Sequence, residues 1–163
     1  AVKRLAQAGR RNIAFVNDDE TESEEHKLNG YRRAIQEYGL PERCYRAERS
    51  IEGGQFVTTH ILQQDPNTDA IVFSEDTTAV GCLHALQVTG KRIPDEVAVI
   101  GCNNSVYCTI CYPQLTSIDN SLHETGRMAA KQMIRLLSHE SDVEKTICLP
   151  CRLVLRDTTP PML

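Results

Sequence analysis

No apolar run in the chain approaches the roughly 18 residues that a membrane-crossing helix needs, so no membrane contact of that kind is expected. The first residues, Ala1 to Leu5, lack the charged head and apolar core of a signal peptide, and the expectation is a cytoplasmic protein. Excess basic charge is missing too. Against 22 Asp and Glu stand 18 Lys and Arg in 163 residues, a formal net charge of -4. An acidic surface repels phosphate backbones, which argues against unaided nucleic-acid binding. There is no internal repeat, low-complexity tract or long linker, and the length suits one domain with a real core. A nucleophile elbow, a P-loop and a GxGxxG turn are all absent. With no nucleophile–base constellation in view, no enzyme is expected.

Seven cysteines are present: Cys44, Cys82, Cys102, Cys108, Cys111, Cys148 and Cys151. The number is odd, and most lie in apolar surroundings such as Val-Gly-Cys-Leu, which fits reduced thiols used for packing. Cys108/Cys111 and Cys148/Cys151 have the Cys-x-x-Cys spacing that can hold zinc. The pairs are far apart and lack tight knuckle glycines, and neither opens a helix as redox motifs do. His26, His60, His84, His123 and His139 are dispersed without metal spacing. Neither metal nor cofactor is expected.

What the chain does have is alternation. Apolar β-branched runs at 12–16, 69–73 and 97–101 read as buried strands, with a weaker candidate at 44–48 and strand-like pieces at 145–149 and 152–156. Between them come helical patterns. Leu28, Tyr31, Ile35 and Tyr38 recur at near-helical spacing until Gly39 and Pro41; Gly53 and Gly54 introduce a short helix to about Leu62. Ala79, Cys82, Leu83 and Leu86 form the stripe of a third helix that Asp76 is placed to cap. Ser121 and Glu124 have capping-box spacing ahead of a helix over 121–137 faced by Leu122, Gly126, Ala129, Met133 and Leu136. This rhythm predicts an α/β fold, an open and mostly parallel sheet with helices on both faces. Ligands of such sheets bind outside the carboxyl ends of the strands. The exits there are Asn17, Asp18 and Asp19; Ser74, Glu75 and Asp76; and Cys102, Asn103 and Asn104. All can hydrogen-bond a hydroxyl-rich ligand, and all equally suit loops and caps.

Six segments, in order, resemble the lactose/galactose repressor family of bacterial regulators. GRRNIAFV at 9–16 is similar to its GHRxIAx[LIV] opening strand, and KLNGYRRA at 27–34 to its RxxG[YF]xxA helix. AIVFSEDTTAVG at 70–81 resembles A[IL]xxxNDxxAxG, and IPDEVAVIG at 93–101 resembles [VI]PxD[VI][SA][VI][VI]G. PQLTSI at 113–118 and LPCRLVLR at 149–156 resemble PxLT[TS][VI] and LPxxL[VI]xR. The likeness spans about residues 1 to 159.

The resemblance implies an effector-sensing domain of the periplasmic-binding-protein type I fold, which binds a small molecule, a sugar or sugar derivative, and acts as a homodimer. It implies that DNA is reached only through a headpiece outside this chain. It also implies that residues 10–115 and 145–159 form one subdomain, with 121–137 belonging to another. Lys27, Glu75, Asp76, Asn103 and Asn120 fall on or near the family's effector-gripping positions. Of these, Lys27 replaces an arginine, Glu75 an asparagine and Asn103 an acid, and the aromatic common near 49–51 is missing. The family's dimer contact corresponds here to 77–89 and 105–112, with Val80, Leu83, Val106, Tyr107, Ile110 and Tyr112 as its apolar members. The departures at Lys27, Glu75 and Asn103 keep open another class, a regulator module that contacts a partner protein or a non-sugar ligand such as a nucleoside.

Overall fold

In the computed structural model, which describes residues 1–18 and 22–161, six strands form one sheet. They are β1 (Ile13–Asn17), β2 (Cys44–Arg46), β3 (Ala70–Phe73), β4 (Ala98–Cys102), β5 (Thr116–Asp119) and β6 (Arg152–Val154). Their order is β2-β1-β3-β4-β5-β6; the first five are parallel, and β6 runs antiparallel to β5. The α/β, mostly parallel expectation holds. Helices α1 (Val2–Gln7), α2 (Glu22–Glu37), α3 (Ile51–Gln64), α4 (Asp76–Val88), the short α5 (Tyr107–Ile110) and α6 (Leu122–Leu137) complete the chain.

Alternation along the central strands explains why both faces are covered. Ala14, Val16, Ile71, Phe73 and Val99 point to one side, where Val57 and Ile61 of α3 and Cys82 and Leu86 of α4 meet them. Ile13, Phe15, Ala70, Val72 and Ile100 point to the other, against Leu5 of α1 and Tyr31 and Ile35 of α2. Each Val, Leu, Ile or Phe among them contributes about 1.5–3 kcal/mol when fully buried, and every central strand is apolar on both faces. Tyr31 ties α2 to the sheet in particular: it stacks on Phe15 at 5.2 Å, and its hydroxyl donates to the Ile13 carbonyl at 2.8 Å. Helices α3 and α4 meet backbone to backbone, because Gly54 and Gly81 have no side chain at the crossing.

Several expectations need correction. The helix predicted from 53 begins at Ile51, because the Ser50 side chain accepts from the Gly53 N–H at 2.9 Å and caps it. Segment 145–149 forms no strand: pairing with β5 starts only at Arg152, beyond Pro150, which has no N–H to offer a ladder. Ser121 does not cap α6. It lies in the left-handed region at φ 54, and its hydroxyl donates to the Pro150 carbonyl at 3.2 Å. Asp76 does not cap α4 either; Glu75 is the N-cap residue and makes no side-chain cap bond. Helix α6 buries none of its residues and leaves Leu122, Met133, Ile134, Leu136 and Leu137 exposed.

Candidate functional site

Four strand ends and one helix bring polar side chains together at the carboxyl edge. Asn17 and Asp18 end β1, Ser74 and Glu75 follow β3, Asn103 and Asn104 follow β4, and Asn120 follows β5. Asn103 and Asn104 have φ of 96° and 49°, a left-handed backbone that asparagine tolerates better than most residues. That turn throws the Asn103 side chain along the edge. Its amide donates to Glu75 Oε2 at 2.8 Å, and its Oδ1 accepts from Asn120 Nδ2 at 2.7 Å. Asn120 Oδ1 accepts from the Cys151 thiol at 3.4 Å. Beyond Glu75, Arg49 lies 3.9 Å from its carboxylate and 3.5 Å from that of Asp18. The result is a continuous polar row from Asp18 to Cys151.

Lys27 reaches the row from α2. Its ammonium donates to the Ser74 carbonyl at 3.1 Å and pairs with the Glu24 carboxylate. Beside it a cavity of about 300 Å³, lined in part by Phe15, Lys27, Tyr31, Ser74 and Cys102, opens on the α1–α2 face. Burial pushes the Asp18 carboxyl up to about 6; Arg49 pulls it down, while Glu24 and Glu75 push it further up.

Of the five residues expected here, Glu75, Asn103 and Asn120 share one hydrogen-bonded row, and Lys27 joins it through Ser74. Asp76 does not. Its carboxylate is buried, accepting from the Ser105 N–H and the Ser117 hydroxyl, each at 2.7 Å, so it holds the fold together behind the row. Arg49 went unanticipated. The strand-exit rule, applied to β2 as to the longer strands, points to it. Asp19 of the first exit lies outside the described residues.

Among the described residues no group of three His, Cys, Asp or Glu is placed to hold a metal, and no helix is long and apolar enough to cross a membrane. Cys82 and Cys108 are buried, which pushes both thiols up to about 12 and suppresses the reactive thiolate. On the α4–α5 side, Val106, Ile110 and Tyr112 are 66%, 68% and 86% exposed, and Tyr107 is less so. Leu83, expected among them, is packed in the core between α4 and the sheet, and Val80 is half-buried. The position of Leu83 on the inward stripe of α4 removes it from any association face.

The sequence pattern of the periplasmic binding protein-like domain matches residues 2–159. The chain belongs to that family. Catabolite control protein A of Priestia megaterium is 30% identical over 98% of this chain and 49% of its own length. A LacI family transcriptional regulator from an Arthrobacter species, solved in complex with lactose, is 29% identical with a TM-score of 0.87, over 98% of this chain and 62% of that one. A LacI family regulator from Bifidobacterium animalis is 28% identical with a TM-score of 0.91, over 99% and 60%. The motif resemblance to the lactose/galactose repressors is thereby borne out. The chain spans about half the length of the curated relatives it matches.

Proposed function

We propose that the chain is the effector-sensing and dimerising part of a bacterial transcription regulator, acting in the cytoplasm without catalysis. The observation that carries this is the hydrogen-bonded row of Glu75, Asn103 and Asn120, drawn from three different strand ends at the edge where such sheets bind ligands. The relatives support a small effector, a sugar or sugar derivative, with DNA contacted through a segment outside this chain. The exposed apolar face of α6 suits a second subdomain that forms the other wall of the cleft, because a ligand site normally encloses 70–90% of its ligand.

The test is calorimetric titration of the full-length protein with lactose, other common sugars and nucleosides. A sugar is expected to bind, and Lys27→Ala or Asn103→Ala to weaken it more than threefold, above about 0.7 kcal/mol. A bound ligand indifferent to both substitutions would mean that the site lies elsewhere. Association is proposed through Val106, Tyr107, Ile110 and Tyr112, whose exposed apolar surface is of the kind that marks interfaces. Sedimentation should show a dimer that Ile110→Asp converts to monomer at micromolar protein. A dimer unaffected by that substitution would place the contact on another face.

A further inference from the structure

We propose that Arg156 and Asn104 are positioning residues for effector recognition: together they hold the left-handed turn that aims Asn103 along the polar row. This rests on the effector reading above and names two residues that act on its site through Asn103. The first ground is that Asn103 can serve the row in only one pose. The Glu75 carboxylate offers acceptors alone, so Asn103 Nδ2 must face it, which leaves Asn103 Oδ1 for the Asn120 amide. Any rotation of the side chain breaks both bonds. The pose is set by the backbone, since φ is 96° at Asn103 and 49° at Asn104. Residues other than glycine visit this region singly, and two in succession persist only where their surroundings hold them.

The second ground is what holds the turn. Arg156 lies just beyond β6 and is half-buried. Its backbone N–H donates to Thr116 Oγ1 and its Nη1 to the Leu115 carbonyl, each at 2.8 Å, so the guanidinium is fixed to β5 and the residue before it. From there Nη2 donates to Asn104 Oδ1 at 2.7 Å. A guanidinium only donates, which settles the way the Asn104 amide lies. The backbone of the turn is anchored separately. The Asn103 N–H donates to the Ile118 carbonyl at 2.8 Å, and the Asn104 N–H to Ser117 Oγ at 3.0 Å, which in turn donates to Asp76 at 2.7 Å. Those backbone bonds are open to any residue at 104. Glycine would take the φ of 49° without steric cost, so what asparagine adds is the bond to Arg156. Loss of that bond frees the turn, and with it the Asn103 amide, while the strands on either side keep their register.

The experiment titrates the full-length protein with lactose, cellobiose, galactose, ribose and adenosine, and carries the tightest binder through as the probe. Asn104→Gly keeps the left-handed φ and drops the side chain; Arg156→Met keeps the apolar stem and drops the guanidinium. Each should weaken the probe about fivefold or more, and the pair together no more than either alone, as members of one hydrogen-bond network do. In an Asn103→Ala background both losses should fall below about twofold, because no amide is left to aim. A purely structural role would not move that readout, since general loosening weakens binding in either background. Should Arg156→Met fail to fold, Asn104→Gly carries the cycle alone. Losses that persist with Asn103→Ala, or a folded variant that binds as the unaltered protein does while Asn103→Ala does not, overturn the positioning role and leave the effector reading standing. A probe indifferent to Asn103→Ala, or no probe bound at all, overturns the effector site and this assignment with it.

Discussion

Replacing Gly81 with alanine is expected to destabilise the domain by about 3 kcal/mol or more, the upper range for overpacking a close contact. A Cβ at this position would lie 2.0 Å from the Ile51 carbonyl oxygen and 2.9 Å from the Gln55 nitrogen. Both are backbone atoms of α3, which no rotamer change can move aside. The opposing glycine offers no relief, since a Cβ on Gly54 would lie 2.0 Å from the Thr78 carbonyl oxygen. Helices α3 and α4 would have to separate by more than an ångström, pulling Val57 and Ile61 off Cys82 and Leu86. Total stability of about 5–15 kcal/mol makes such a loss severe. Gly126→Ala in α6, where a Cβ meets nothing within 4 Å, is the control and should stabilise by about 0.5–1 kcal/mol. Urea denaturation of the two variants decides the matter. A Gly81→Ala midpoint equivalent to a loss under about 1 kcal/mol would refute the close crossing of α3 and α4.

The second large effect belongs to Asp76. Asp76→Ala removes the acceptor for the Ser105 N–H and the Ser117 hydroxyl. Hydrogen bonds to a charged group are worth about 1.5–3 kcal/mol each, less what the leftover donors recover from water, so a loss of about 3 kcal/mol is expected. The location of the damage is as informative as its size. A cap on α4 would weaken that helix by about 1 kcal/mol and leave distant amides alone. The structure instead ties Asp76 to the start of the α5 loop and to β5, so hydrogen exchange at the Ser105 amide should quicken at least tenfold. A small stability loss with that amide as protected as before would return Asp76 to the role of an ordinary helix residue.

The parts of the fold that were legible in the residues are those buried on both faces. Ile13 to Val16, Ala70 to Phe73 and Ala98 to Ile100 are apolar throughout because helices cover the sheet on either side. Strand β5 gave no such signal, since its inward positions are Thr116 and Ser117. Their hydroxyls are satisfied by Arg156, Thr159 and Asp76, which no local pattern reveals. The strand-exit rule placed Glu75, Asn103 and Asn120 in one row because parallel strands must end at the same edge. It misjudged Asp76, one residue past Glu75, because the first turn of a helix carries successive side chains about 100° apart, and this one points inward. Arg49 was passed over because β2 is only three residues long and its neighbours carry no aromatic. Leu83 carried two readings, one from the apolar stripe of its helix and one from the family's dimer contact, and its burial against the sheet agrees with the stripe.

Between β5 and β6 the chain leaves the sheet for some thirty residues and returns beside its own point of departure. The two crossings are stitched together: the Ser121 hydroxyl donates to the Pro150 carbonyl, the Cys151 thiol to Asn120, and Arg152 Nε to Asp119 at 3.0 Å. No strand changes neighbours across this gap, and α6 contributes nothing to either apolar layer. Mechanically, the two crossings act as one tether: the segment 122–149 is joined to the sheet only where its start and its return are bonded to each other, and Asn120, a residue of the polar row, lies at that junction.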